Sequence, residues 1–148
     1  MVMGYFIYSV CVLPYEKLYH YLSQPISDNS PLKNEVYRSK RARTLSEKAE
    51  FITCTLQDDS LVGTIAFYMN QCTVAFITQV IVIDQYKRQG IASNMLRLLF
   101  EEANKRGYTI IRLEVRKNNV SAISLYEKFG FKYMNDSLLG NSIYEIQI

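Results

Sequence analysis

Val80-Ile81-Val82-Ile83-Asp84-Gln85-Tyr86-Lys87-Arg88-Gln89-Gly90-Ile91-Ala92 is the stretch that decides the fold. It opens as a strand. Four apolar, β-branched residues with no polar face suit a strand covered on both sides, and hence central in its sheet. It closes as a helix from about Gly90 to Arg106. Ile91, Met95, Leu98, Leu99 and Ala103 recur at helical spacing, and Gly107 is a C-terminal stop. A short basic loop, Asp84 to Gln89, lies between them. A helix N-terminus offers unpaired N–H groups and a positive dipole end. Gly90 has no side chain to hold a ligand off the backbone, and Lys87 and Arg88 add positive charge. The composition is that of a phosphate cradle. It lacks the Gly-Lys-Ser/Thr of a nucleotide phosphate loop, and it has one glycine where a dinucleotide fingerprint needs three. On these residues alone, a plain strand-to-helix connection is the commoner reading.

On the N-terminal side, Phe51 to Leu56, Leu61 to Met69 and Thr73 to Ile83 read as three strands joined by polar turns, an antiparallel meander. Gly4 to Val12 reads as a first strand, and Pro14 begins a helix over Tyr15 to Gln24 with Leu18, Tyr21 and Leu22 on one side. Pro25 to Pro31 is a turn-rich break. Lys33, Arg38, Lys40, Arg41 and Arg43 stand against one acid, Glu35. They form either a patch for an anionic partner or a solvated loop or helix face. On the C-terminal side, Thr109 to Val115 is a strand. Asn118 or Asn119 caps a helix to Phe129 that Gly130 ends. Phe131 to Met134 and Ser142 to Ile148 are the last strands.

With 148 residues, 49% of them hydrophobic and 21% charged, the chain suits one domain, residues 1–148, with a real core. The net charge of +3 suits a small anionic ligand and is too weak to argue for nucleic acid. No apolar run is long enough for a membrane span. The apolar segment Met1 to Pro14 lacks the basic start and small-residue cleavage site of a signal peptide, and is read as the first strand. The single histidine, His20, has no Ser or Cys motif around it, which speaks against a Ser-His or Cys-His centre. Cys11, Cys54 and Cys72 form no C-x-x-C pair, so no metal is expected. They are read as buried or semi-buried thiols of a reducing compartment, the cytoplasm.

A second stretch adds specificity. Lys87-Arg88-Gln89-Gly90-Ile91-Ala92 resembles the Gln/Arg-x-x-Gly-x-Gly/Ala signature of the GCN5-related N-acetyltransferase (GNAT) family, with Lys at the first position. Leu113-Glu114-Val115-Arg116-Lys117-Asn118-Asn119-Val120-Ser121-Ala122-Ile123-Ser124-Leu125-Tyr126-Glu127-Lys128-Phe129-Gly130-Phe131 resembles that family's second signature. The motif match is closest to bacterial ribosomal-protein alanine acetyltransferases, and it covers roughly Leu61 to Phe131. The resemblance implies an α/β (α+β) fold whose central, mixed, mostly antiparallel sheet has about six or seven strands flanked by helices. Two central strands would splay apart around acetyl-coenzyme A as co-substrate. Val80, Ile81 and Val82 would take the pantetheine arm along unpaired backbone. The loop Lys87, Arg88, Gln89, Gly90, Ile91 and Ala92 would hold the pyrophosphate. Asn119 would bond the arm, cap its own helix, or do both.

The resemblance places Tyr126 as general acid toward the departing thiolate, since a phenol of pKa ~10 is protonated at neutral pH. A core aromatic is the structural alternative. Glu114 is the candidate base, or the anchor of a water that serves as one. An amine of pKa ~10.4 is almost wholly protonated at neutral pH and needs such help. The alternative for Glu114 is a charged strand face, Arg112-Glu114-Arg116, that satisfies itself. The expected activity is direct acetyl transfer to the primary amine of a small molecule: an amino sugar, polyamine or amino acid. The other readings are a protein N-terminal or lysine acetyltransferase, and a non-catalytic module that only binds coenzyme A. The short loop Asn135 to Asn141 lacks the Arg- and Tyr-rich stretch of the protein-alanine enzymes, which favours a small acceptor. A monomer or homodimer away from the membrane is expected.

Overall fold

The elements follow the chain as β1 (Val2–Met3), β2 (Phe6–Cys11), α1 (Tyr15–Leu22), α2 (Glu35–Lys48), β3 (Glu50–Thr55), β4 (Leu61–Tyr68), β5 (Val74–Val82), α3 (Ile91–Lys105), β6 (Ile110–Val115), α4 (Val120–Lys128), β7 (Lys132–Asp136) and β8 (Ser142–Gln147). Short 3₁₀ turns occupy Pro31–Lys33 and Asp84–Tyr86. The computed structural model describes residues 2–3, 5–26 and 31–148, with side chains from residue 5 onward. Gly4 and residues 27–30, the heart of the expected turn-rich break, lie outside the described residues.

The strands form one sheet in the order β1-β2-β3-β4-β5-β6-β8-β7. Every neighbouring pair is antiparallel except β5 and β6, which run parallel. The fold class is the one expected, an α/β sheet of mixed pairing. Seven of its strands are those read from the sequence, and the eighth is the two-residue β1, which folds back on Phe6 and Ile7. In the closing hairpin the last strand lies inside: β8 pairs with β6, and β7 lies outside it at the edge.

Each face of the sheet buries its own core. On one face α1 and α2 bring Leu18, Tyr21, Leu22, Ala42 and Leu45 onto Phe51, Ala66 and Ile81. On the other, α3 and α4 bring Met95, Leu96, Leu99, Ala103 and Tyr126 onto Ile65, Phe67, Ile77 and Leu113. This double cover explains why β4 and β5 are apolar on both sides. The α3 stripe differs by one position from the sequence reading: Leu96 is fully buried while Leu98 is only partly so. The basic run is a helix, α2, rather than a loop. Arg38 and Arg41 are half-buried, while Lys33, just ahead of the helix, Lys40 and Arg43 are exposed. Among the thiols, Cys54 is buried and Cys11 half-buried, but Cys72 is exposed, contrary to expectation, because it sits in the β4–β5 turn.

Gly63 fixes the depth at which α3 docks. A Cβ built there would lie 2.9 Å from Ile91 Cγ2 and 3.3 Å from Met95 Cε. The first turn of α3 therefore rests directly on β4, and the basic loop is held just above the sheet. Gly63→Ala should destabilise the domain by about 1–3 kcal/mol, the usual cost of overpacking a filled core. Urea unfolding checks this, and an unchanged midpoint would show that α3 can back away at no cost.

Candidate active site

The ladder between β5 and β6 is short. It runs from Val74–Ile110 to Ile77–Leu113 and stops, although β5 continues to Val82 and β6 to Val115. At that point β5 carries a bulge: Ile77 pairs with Phe67 and Gln79 with Ala66, leaving Thr78 as the extra residue. Beyond it, the Ile83 N–H donates to the Val62 carbonyl at 3.0 Å, so Val62–Ile83 is a hydrogen-bonded rung. By the alternation of antiparallel ladders Thr64–Ile81 is another, and Gly63–Val82 and Ile65–Val80 are not. The N–H and C=O groups of Val80 and Val82 therefore face the side that β6 has left. Ile81 differs from its neighbours. Its backbone faces β4, and its carbonyl also accepts the buried Tyr21 hydroxyl at 2.7 Å.

The loop after β5 makes a concave backbone. Arg88 has φ +65° and Gly90 has φ +78°, left-handed positions that cost little for glycine and about 1–2 kcal/mol for arginine. Gly90 is the residue that precedes α3. No side chain caps that helix end, so its first N–H groups remain directed outward as an anion site. Lys87 is paired with Asp84 at 3.2 Å.

A cleft of about 1310 Å³ opens beside the edge of Val80 and Val82, between the end of β5 and the start of α4. Val80, Ile81, Val82, Lys87, Arg88, Gly90, Ile91 and Ala92 line one part of it, and Asn118, Asn119, Val120, Ser121, Ala122 and Leu125 another. Gln89 is not in its lining. Ile26, which no sequence motif marks, and Lys33 of the basic run are. Asn119 is the N-cap of α4: its Oδ1 accepts the Ala122 N–H at 3.3 Å.

Tyr126 and Glu114 stand outside that lining. Tyr126 is 6% exposed, and its ring packs edge-on against Phe131 with centroids 5.7 Å apart. Its hydroxyl has no hydrogen-bond partner among the described residues. Burial pushes the phenol well above its ordinary pKa, so it stays protonated. Glu114 projects from β6 on the face opposite Leu113 and Val115. It does not satisfy itself with its arginine neighbours: Arg112 pairs with Glu145 across the ladder. The Glu114 carboxylate is instead held by the β7–β8 loop. Ser137 Oγ and Asn141 Nδ2 both donate to Oε2, each at 2.8 Å. Oε1 carries no hydrogen bond among the described residues. Nothing in the sequence flags Ser137 or Asn141, because their role depends on β8 lying beside β6.

The profile described as "Acetyltransferase (GNAT) family" matches residues 15–131. The [ribosomal protein bS18]-alanine N-acetyltransferase of Escherichia coli is 40% identical over 68 residues, 45% of this chain and 46% of that protein. The chain thus matches about half the length of that relative. The crystal structure of the ribosomal-protein-S18-alanine N-acetyltransferase from Escherichia coli has a TM-score of 0.72 at 23% identity, over 96% of this chain and 94% of that one. That of the PaiA N-acetyltransferase from Thermoplasma acidophilum, in complex with coenzyme A, has a TM-score of 0.77 at 18% identity, over 96% and 99% of the two chains. These two structures share the fold.

Asn119→Ala removes the α4 cap and should cost about 0.5–2 kcal/mol of stability. Denaturant titration without ligand tests this, and no loss would mean that the side chain is kept for something other than capping.

Proposed function

The chain belongs to the acetyltransferase (GNAT) family, and from that premise we propose that it moves an acetyl group from acetyl-coenzyme A to the primary amine of a small molecule by direct attack. The observation that carries this reading is the open edge of Val80 and Val82 beside an uncapped helix N-terminus. An extended arm ending in a pyrophosphate fits both. Its polar groups would satisfy the strand edge, and its phosphates would meet the N–H groups of residues 88–92. The cleft has room for it, and Gly90 leaves the backbone uncovered.

Acetyl-coenzyme A supplies an activated acyl group with a thiolate leaving group. The chain supplies the proton traffic. Tyr126, kept neutral by burial, gives its proton to the departing sulfur. Glu114 Oε1 takes the amine's proton, directly or through a water. Direct attack suits a cleft whose lining contains no cysteine.

The hairpin loop supports a small acceptor. Ser137 N–H donates to the Asn141 carbonyl at 2.8 Å, and Gly140 N–H to the Ser137 carbonyl at 3.0 Å. The loop thus spends its backbone on itself and its polar side chains on Glu114, with little left to clamp a peptide. The similarity to the Escherichia coli alanine N-acetyltransferase favours a second reading, a protein N-terminus. A screen of small amines against alanine-starting peptides, following the thiol released, separates the two.

Acetyl-coenzyme A at 100 times its dissociation constant should stabilise the fold by about 2.7 kcal/mol, visible as a raised melting temperature. Gly90→Glu should abolish that shift while leaving a folded domain. A Cβ there meets nothing within 4 Å, so the substitution costs about 1–2 kcal/mol for the left-handed backbone without a clash, while its charge opposes the pyrophosphate. A wild-type shift in this variant would reduce the loop to a connector.

Tyr126→Phe should lower turnover about 10²–10⁴-fold with little change in coenzyme affinity or stability, since the hydroxyl has no partner to lose. An alkyl thiolate leaves unaided near its own pKa of ~8.5, so the deficit should shrink as pH rises. A pH-independent deficit would assign Tyr126 to positioning, and unchanged turnover would return it to the core.

A further inference from the structure

The α1–α2 face of the fork carries polar groups whose hydrogen bonds are incomplete. The Thr78 bulge lies where β5 and β6 part, one residue beyond the Ile77–Leu113 rung. Arg41 of α2 reaches it: Nη2 donates to Thr78 Oγ1 at 2.9 Å and to the Thr78 carbonyl at 3.1 Å. Nε of the same guanidinium is buried with no hydrogen-bond partner, and so is Oε1 of the adjacent Gln79. Arg41 makes no ion pair among the described residues. Arg38, one turn earlier, makes none either. It donates to the Leu32 carbonyl at 3.0 Å and lies over the Tyr19 ring. Across the fork on the same face stands Glu114 with Oε1 unoccupied.

A partly buried guanidinium without a counter-ion is costly, and so is a buried amide oxygen without a donor. The natural complement of this arrangement is a ligand that brings a carboxylate to the guanidinium and, a bond or two away, N–H groups to the amide and carboxylate oxygens. That is the pattern of an α-amino acid. Polyamines bring only positive charge to two uncompensated arginines, amino sugars bring no anion, and a protein N-terminus has a neutral amide where the carboxylate would be.

We infer that Arg41 recognises the α-carboxylate of a free amino acid and sets its α-amine at the fork beside Glu114 and Gln79. This rests on the acetyl-transfer reading above. The acceptor amine attacks the thioester carbonyl carbon, the C–S bond breaks, and the sulfur leaves as thiol with the proton from Tyr126. The proton shed by the amine goes to Glu114.

The test measures kcat/KM by thiol release from acetyl-coenzyme A. The acceptors are the free L-amino acids, their α-carboxamides, spermidine and glucosamine. For the best amino acid, the carboxylate should exceed its carboxamide by roughly 30-fold or more, the range for truncating one partner of a buried charged pair. The difference should lie mainly in KM. Arg41→Gln should bring that ratio toward one, and Arg41→Lys should restore part of it. Because Arg41 also holds the bulge, the ratio rather than the absolute rate is decisive. Acetylation of carboxamides, spermidine or glucosamine at least as fast as of every free amino acid overturns the inference. So does an absence of amino-acid acetylation, or a ratio that Arg41→Gln leaves intact. A wild-type protein whose melting temperature acetyl-coenzyme A does not move would instead overturn the underlying reading.

Discussion

Parallel pairing between β5 and β6 ends at Ile77–Leu113 because each strand keeps to its other neighbour beyond that point. β5 stays on β4 as far as Gly63–Val82, and β6 stays on β8 as far as Val115–Ser142. Parallel rungs are slightly weaker per residue than antiparallel ones, and the Thr78 bulge twists β5 further at the parting. The cost is a row of backbone groups at Val80 and Val82 without strand partners, in the middle of the sheet where such groups are normally paired. The sheet tolerates this because the cleft beside them is large enough for water or ligand. The cleft, the open helix end and the two faces presented to a reaction all follow from that single interruption.

The two cores divide the labour of holding the fork. The α3–α4 side is dense and apolar, and Gly63 sets how closely α3 approaches. That closeness carries the loop 87–90 to the mouth of the cleft, and the same packing buries Tyr126 and keeps its proton in place. The α1–α2 side combines an apolar layer with the arginines of α2. Arg38 ties α2 to the Pro31–Lys33 turn and to Tyr19, and Arg43 lies over the Tyr15 ring at 4.5 Å. Only Arg41 reaches the fork itself. The α3–α4 face therefore holds Tyr126, and the α1–α2 face holds Arg41 and Glu114.

What the sequence disclosed was what local rules decide. The α3 stripe, the helix start at Gly90, the Asn119 cap and the doubly apolar Val80–Ile83 run are each written within a few residues, and each lies close to its expected place. The α2 helix was obscured because only Ala42 and Leu45 of its residues are buried, so its period is hidden under charge. The β6-β8-β7 order, and with it the Ser137 and Asn141 grip on Glu114, depends on a strand inserting between two others, which no local pattern encodes. The Thr78 bulge is silent in sequence, since Thr is at home in any strand. The inward turn of Arg41 is a matter of helix rotation, and a run of like charges reads the same whether it faces solvent or sheet.

The division of Glu114 into one engaged oxygen and one open among the described residues bears on how a carboxylate can be both fixed and available. A half-buried carboxylate on a strand would ordinarily rotate about its last torsion and pair with nearby cations, Arg112 and Arg116 being nearest in sequence. Arg112 is taken by Glu145, and the donors from Ser137 and Asn141 both fall on Oε2. Rotation of the carboxylate would forfeit two hydrogen bonds to a charged group, each worth more than a neutral one. The loop that supplies them is in turn closed by its own backbone bonds, so the orientation is inherited from the hairpin rather than from the substrate. A carboxylate held in this way needs no reorganisation when a cation or hydrogen-bond donor meets it, which is the condition under which a preformed charge interacts most strongly.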